Sequence, residues 1–221
     1  VPLRAERDPF ANRVWLAGGI WIGADSAVRS VAVHDPTAFF VTVLVETLEA
    51  SGIPVDGGPA DRDALGAAAP RREELRTLFV HRSPALAEIV KPFLKESQNA
   101  VGEMLLRAVG AAATDTGSVE TGRRVVVETL SRWGIPPAYY VIADGSGLSR
   151  YNYLSPEAIV RLLRVMTRRP EFGAFYDALP IAGVDGTLAN RMRGTRAEGN
   201  ARAKTGYISN VRALSGYVTS A

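Results

Sequence analysis

Residues 203–210 read Ala-Lys-Thr-Gly-Tyr-Ile-Ser-Asn, and residues 211–218 continue as Val-Arg-Ala-Leu-Ser-Gly-Tyr-Val. Two β-prone runs flank a short polar Ser-Asn turn, a pattern that predicts a β-hairpin. Lys204, Thr205 and Gly206 bring an ammonium, a hydroxyl and a bare backbone together. Because glycine has no side chain, an extended, anionic, peptide-like ligand could lie against this strand edge. On the tripeptide alone, a plain strand with a surface lysine is the alternative.

The composition excludes several classes of function. The 221 residues are 47% hydrophobic and 22% charged, which is ordinary for a globular protein with a sizeable core. The net charge is only +3, and the basic residues are not interleaved with aromatics, so nucleic acid is not an expected partner. With no cysteine and two histidines, we expect no thiolate or histidine-based metal centre and no serine–histidine couple. No apolar run reaches the length of about 18 residues that a membrane span needs.

The N-terminal third contains signals for both strands and helices. Loose alternation of apolar residues over 13–34 predicts two or three strands. Asp35 and Pro36 predict the start of a helix, since aspartate caps helices well and proline suits the first turn. Further short strands are predicted at 53–55 and 75–81.

A polar junction separates two helical patterns in the middle of the chain. Ser83-Pro84 predicts the start of the first helix, and the second runs through residues 101–109. Ser97 and Asn99 lie between them. Ser97 could merely cap the second helix. Alternatively, the polar residues form the wall of a cleft.

Two later helices are predicted to begin at Ser118 and Ser155. Between them, residues 144–152 contain two glycines and several small polar residues, which predicts a tight, hydrogen-bonded turn. The spacing does not match the nucleophile elbow Gly-x-Ser-x-Gly. We therefore interpret Asp144 and Ser146 as structural.

Five motifs, in this order and at these separations, resemble one protein family. They closely resemble class C low-molecular-mass penicillin-binding proteins, the D-alanyl-D-alanine carboxypeptidases and endopeptidases of bacterial cell walls. The resemblance covers most of the chain, roughly residues 13–221. The motifs are His-Asp-Pro at 34–36, Ser-Gln-Asn at 97–99, Asp-Gly-Ser-Gly-Leu-Ser-Arg at 144–150, Gly-Val-Asp-Gly-Thr-Leu at 183–188 and Lys-Thr-Gly at 204–206.

The resemblance implies a fold and a division of the chain. The implied fold is α/β (α+β), of the penicillin-binding and serine β-lactamase-like transpeptidase type. In it a helical cluster packs on an antiparallel sheet, and the fold is incomplete in this chain. Residues 1–30 would be the tail of an inserted accessory domain, and residues 31–221 the C-terminal part of the peptidase domain.

The family's nucleophile motif, Ser-x-x-Lys, does not occur in these residues. In the family it lies far upstream, so we expect the N-terminal portion of the same protein to supply it as a partner. The chain starts without methionine or the apolar core of a signal peptide, which we interpret as processing or as a fragment.

The resemblance also implies the chemistry. An upstream serine would attack the carbonyl of a D-Ala-D-Ala peptide and form an acyl-enzyme. Ser97 would pass a proton to the leaving amine, Lys204 would keep the site electropositive, and Asn99 would hold the substrate's peptide group. These three are the implied catalytic residues.

Substrate binding would fall to the residues that follow Lys204. Thr205 would attract the terminal carboxylate, and the strand edge after Gly206 would pair with the substrate backbone and supply an oxyanion donor. The family usually carries a small hydroxyl residue next, where this chain has Tyr207. Thr205 and Tyr207 share one face of a strand, so Tyr207 is expected to crowd the site or shift the substrate.

The implied partners are D-Ala-D-Ala peptides of peptidoglycan and β-lactams, with peripheral membrane association and a periplasmic or extracytoplasmic location. Two alternatives remain open on the sequence. One is a non-catalytic scaffold that binds wall peptides, and the other is a β-lactamase or esterase that uses the same cleft.

Overall fold

The computed structural model describes residues 2–220, apart from the side chain of Arg72. The chain divides into two compact units, with the first ending at Val80 and the second beginning at His81. The boundary predicted between residues 30 and 31 stays a prediction. None of the helices in the described part of the chain combines the length and the apolarity needed to cross a bilayer.

The first unit pairs two short strands and carries one long helix. Strand β1 (Arg4–Arg7) is antiparallel to β2 (Val14–Ala17). Helix α1 (Pro36–Ala50) follows, and α2 (Arg62–Leu65) is a single turn. The Asp35 side chain accepts a 2.9 Å hydrogen bond from the Ala38 amide, which confirms the predicted cap.

Several strands predicted in this unit are absent. Of the two or three strands predicted over 13–34, the described chain forms β2 but none over 20–33, and it forms none at 53–55 or 75–81, so those predictions were wrong. Alternation alone does not make a strand, because its amides and carbonyls need a neighbouring strand to pair with. The apolar side chains of these segments are correspondingly exposed, Ile22 and Leu78 among them.

Five helices build most of the second unit. They are α3 (Leu86–Glu96), α4 (Asn99–Thr114), α5 (Val119–Arg132), α6 (Pro156–Met166) and α7 (Phe172–Ala178). The predicted caps at Ser118 and Ser155 are confirmed, since each accepts a hydrogen bond from an amide of the first helical turn. The predicted start at Ser83-Pro84 was wrong, because Ala85 is still extended, with ψ of 149°, and precedes the first residue of α3.

Two antiparallel hairpins complete this unit. Strand β3 (Tyr140–Val141) pairs with β4 (Tyr153–Leu154), and β5 (Arg202–Ile208) pairs with β6 (Val211–Tyr217). The predicted hairpin over 203–218 is therefore confirmed. Asn210 makes the turn in the left-handed region, with φ of 67°.

The helices hold the long hairpin through its last tyrosine. The Tyr217 hydroxyl donates a 2.8 Å hydrogen bond to the Leu163 carbonyl of α6. Its ring packs edge-on against Phe172 and Phe175 of α7. The structure is thus a mixed α/β one with helices packed on antiparallel strands, as the sequence predicted.

The loop that follows β3 packs directly on the backbone of α4, because both residues at the contact are glycines. A Cβ atom built on Gly102 would collide with the Gly145 carbonyl oxygen, and one built on Gly145 would collide with that of Gly102. Neither position has room for a side chain. The Asp-Gly-Ser-Gly loop is therefore pressed directly against the helix that begins at Asn99.

We expect Gly102→Ala in the intact protein to lower the free energy of unfolding by about 1–3 kcal/mol, because the methyl group overpacks this contact. Gly173→Ala is the matched control, since nothing lies within 4 Å of a Cβ at that helical position. The control should be neutral or stabilising by up to ~1 kcal/mol. Denaturant unfolding measures both, and equal stability of the two variants would contradict the prediction.

Candidate functional site

Ser97 lies in the sharp joint between α3 and α4. Its backbone is left-handed, with φ of 59°, and its amide donates to the Phe93 carbonyl to close α3. For a residue other than glycine this conformation costs of order 1 kcal/mol, so the surroundings must hold it in place. Ser97 is not the cap of α4, because Gln98 occupies that position and makes no side-chain capping bond.

The Ser97 hydroxyl instead meets Lys204, 107 positions later in the chain. The Lys204 Nζ lies 2.7 Å from Ser97 Oγ and 2.7 Å from the Thr205 carbonyl oxygen. Since the ammonium is the donor, Ser97 retains its own proton for another acceptor. Burial lowers the pKa of Lys204 below its ordinary value.

A second hydroxyl pair flanks this contact. Thr205 Oγ1 lies 2.9 Å from Thr187 Oγ1, and Thr187 belongs to the 3-10 turn Gly186–Leu188. The Thr205 hydroxyl donates this hydrogen bond to Thr187, so the Thr187 O–H remains to donate to a ligand. Thr187 belongs to the Asp-Gly-Thr segment that contributes to the resemblance, but nothing in the sequence marked it as a site residue.

An ion pair links α3 to the segment that carries Thr187. Lys95 Nζ lies 2.6 Å from Asp185 Oδ2 and 2.9 Å from the Leu179 carbonyl oxygen, and its side chain is only 12% exposed. Asp185 also accepts a 2.8 Å hydrogen bond from the Ile181 amide. The pair fixes the distance between the last turn of α3 and the Thr187 turn, and apart from the Asp-Gly-Thr motif no pattern in the sequence indicated it.

These bonds set the pKa of Asp185. Its burial alone would raise the pKa, but the hydrogen bonds from Lys95 and Ile181 and the charge of Lys95 together outweigh burial. The pKa of Asp185 in the folded protein therefore lies below the ordinary 3.8.

The turn over 144–152 is a closed hydrogen-bond network. Asp144 accepts bonds from the Ser146 hydroxyl, the Gly147 and Ser149 amides and the Asn152 amide group, at 2.6 to 2.9 Å. These donors overcome the opposing effect of burial and lower the pKa of Asp144. Asp144 and Ser146 thus have the structural role that the sequence analysis assigned to them.

The remaining predicted site residues lie at the surface, close in sequence to Ser97 or Lys204. Asn99 is exposed at the first position of α4, and its side chain makes no hydrogen bond to any other described residue. Thr205, Gly206 and Tyr207 line a groove of about 530 Å³ along the hairpin. The structure therefore brings Ser97 into contact with Lys204. Asn99 follows Ser97 by two residues in the chain, but its side chain makes no hydrogen bond to either of them.

Among residues 2–220, no three histidine or acidic side chains come close enough together to bind a metal ion. The chemistry open to these residues is that of hydroxyls, an ammonium, an amide and a strand edge. Such a set can bind an anion and transfer protons.

The model of the D-Ala-D-Ala carboxypeptidase 3 (S13) family matches residues 4–221. A D-alanyl-D-alanine carboxypeptidase of Actinomadura sp. (strain R39) is 37% identical over 218 residues, covering 96% of this chain and 40% of the relative. The D-alanyl-D-alanine carboxypeptidase DacB of Haemophilus influenzae is 30% identical over 195 residues, covering 87% of this chain and 39% of the relative. The chain thus spans about 40% of the length of these relatives.

A solved structure shows the same arrangement of elements. It is penicillin binding protein 4 of H. influenzae in complex with a β-lactam. The TM-score is 0.77 at 27% identity, and the match covers 100% of this chain and 50% of that one. These matches confirm the resemblance that the five motifs indicated.

We expect Asp185→Asn to lower the thermal midpoint of the intact protein at pH 7. Because the folded pKa of Asp185 is depressed, its stabilisation is fully present above 3.8 and is lost as pH falls through the folded value. Wild type should therefore lose more stability than the variant on acidification. Glu171→Gln, which removes an exposed partner of Arg169 at 3.3 Å, is the control and should change little. Parallel curves for wild type and Asp185→Asn would refute the assignment.

Proposed function

This chain belongs to the D-Ala-D-Ala carboxypeptidase 3 (S13) family, and from that premise we propose that it forms one wall of a serine peptidase's substrate cleft. The proposed enzyme is a D-Ala-D-Ala carboxypeptidase and DD-endopeptidase that acts on peptidoglycan stem peptides. It works through an acyl-enzyme whose nucleophile, in a Ser-x-x-Lys motif, lies outside these 221 residues. No cofactor is needed for this chemistry.

The observation that carries the proposal is the 2.7 Å contact between Lys204 Nζ and Ser97 Oγ. The upstream serine gives its proton to the lysine of its own motif as it attacks the scissile carbonyl, and the tetrahedral intermediate then expels an amine that must gain a proton. Ser97 supplies that proton, because its hydroxyl accepts a hydrogen bond from Lys204 and keeps its own proton free to donate. The Lys204 ammonium then stabilises the negative charge that develops on Ser97 Oγ. Water then attacks the acyl group: one of its protons returns to Ser97, and the motif lysine returns its proton to the departing serine oxygen.

The groove along β5 is the proposed substrate site. The Thr205–Thr187 hydroxyl pair, through its free O–H, and the Lys204 ammonium bind the terminal carboxylate of the peptide, and the edge beside Gly206 pairs with its backbone. Asn99 holds the substrate's peptide group from the other side. Tyr207, 70% exposed, borders the groove and restricts how the terminal residue enters.

The proposal extends to the cellular setting. Peptidoglycan lies outside the cytoplasmic membrane, so the protein works in the periplasm or another extracytoplasmic space, with peripheral contact to the membrane. β-Lactams would enter the same cleft as substrate analogues. Residues 1–30 remain proposed as the tail of an inserted domain.

In the intact protein, Lys204→Ala should slow acylation by a fluorescent penicillin by roughly two orders of magnitude or more, because it removes the charge and a partner of Ser97 together. Lys91→Ala, which deletes an exposed lysine of α3, serves as the control and should label normally. Wild-type labelling rates in the Lys204 variant would contradict the role proposed for it.

We further expect that the 221 residues by themselves are not labelled by the same penicillin, since they contain no Ser-x-x-Lys. Gel fluorescence after incubation provides the readout. Covalent labelling would move the nucleophile into this chain, and its loss in Ser97→Ala would locate it. In the intact protein, a long-lived adduct would favour a peptidase over a β-lactamase.

A further inference from the structure

We propose that Arg212, held against the ring of Tyr207, is a specificity-determining residue that binds the terminal carboxylate of the peptide substrate. This inference rests on the proposed function and assigns a new residue to the same groove. It also gives Tyr207 a positioning role in addition to the crowding of the groove proposed above.

The hairpin register places Arg212 beside the carboxylate subsite. Tyr207 lies directly opposite Arg212, and Thr205 lies opposite Leu214, so all four project from one face of the β5–β6 pair. Arg212 is thus the diagonal neighbour of Thr205. Diagonal neighbours in a hairpin have Cα atoms about 7–8 Å apart, a gap that an arginine side chain spans easily.

The tyrosine ring holds the guanidinium in place. The Arg212 Cζ atom lies 5.2 Å from the centroid of the Tyr207 ring, within the range of a cation–π interaction. Stacking leaves the guanidinium N–H groups, which point outward in its plane, free to bind a carboxylate in a bidentate manner. An arginine held against Tyr207 can therefore bind the substrate carboxylate, the role that a small hydroxyl residue at position 207 would have by direct contact.

The charges around the groove favour an anion. Its lining contains Arg191 and Arg212 together with the Thr187 and Thr205 hydroxyls, and no acidic residue. Within the described chain, neither arginine forms an ion pair with a carboxylate. Both charges therefore favour binding of a carboxylate in this groove, and the neighbouring Lys204 adds a third positive charge.

The test compares a peptide that ends in D-Ala-D-Ala with the same peptide carrying a C-terminal carboxamide. Equilibrium affinity for both is measured by calorimetry on the intact protein, and hydrolysis is followed separately. Arg212→Gln should reduce the preference for the carboxylate roughly tenfold, since a charge-assisted pair is lost. Tyr207→Leu should reduce it by about two- to fivefold, because the arginine loses its support.

Arg212→Lys and Arg196→Gln complete the design. The lysine keeps the charge without the planar fork and should restore part of the preference. Arg196 is exposed, lies outside the groove and carries the same charge, so its loss should change nothing. Unfolding midpoints of all variants are recorded, so that a folding defect is not read as lost affinity.

The outcomes separate the two proposals. An unchanged preference in Arg212→Gln, or a wild-type protein that binds both peptides equally, overturns the role of Arg212. If wild type prefers the carboxylate and Arg212→Gln does not, yet neither hydrolyses the peptide, the binding role stands and the proposed catalytic function fails. If Arg196→Gln matches Arg212→Gln, general charge accounts for the effect and the specific role is lost.

Discussion

The hydrogen bond from the Lys204 ammonium to the Ser97 hydroxyl is the constraint around which the second unit is built. It joins a strand to a helix joint 107 residues earlier, over a distance of 2.7 Å. The surrounding structure must hold both residues in place, because each is in an energetically unfavourable state. Ser97 occupies a left-handed backbone conformation, and Lys204 is partly desolvated. The Lys95–Asp185 pair secures one side, and the Tyr217–Leu163 bond secures the hairpin on the other.

Two partly buried lysines in this unit have opposite electrostatic roles. Lys95 meets a carboxylate at 2.6 Å, so its charge is neutralised and the contact serves to fix α3 against the Thr187 turn. Lys204 donates only to a hydroxyl and a carbonyl, and no carboxylate of the described chain pairs with it. The positive charge of Lys204 therefore remains available to a ligand in the groove. Because Lys204 is partly buried, solvent screens this charge less, and its attraction for an anion is stronger. This difference separates a structural lysine from a functional one more clearly than exposure does.

Three of the four helix starts predicted from local capping signals were correct, and only the start at Ser83-Pro84 was wrong. Asp35, Ser118 and Ser155 were placed correctly because a cap is formed by a side chain and amides two or three residues away. The strands expected at 20–33 and 75–81 failed because a strand needs a partner that the segment itself does not specify. The hairpin over 203–218 succeeded because both of its strands and its turn are contiguous.

The sequence by itself determined the caps, the long hairpin and, through five ordered motifs, the family and the identities of Ser97 and Lys204 as a pair to examine. Only the tertiary structure decided that Ser97 is the hydroxyl acceptor of Lys204 instead of a helix cap. The tertiary structure also placed Thr187, Asp185 and Arg212 at or next to the site. The physical reason is distance along the chain. A cap or turn depends on neighbours a few residues away, whereas these contacts depend on how α3, the Thr187 turn and the β5–β6 hairpin pack together, and no local pattern encodes that packing.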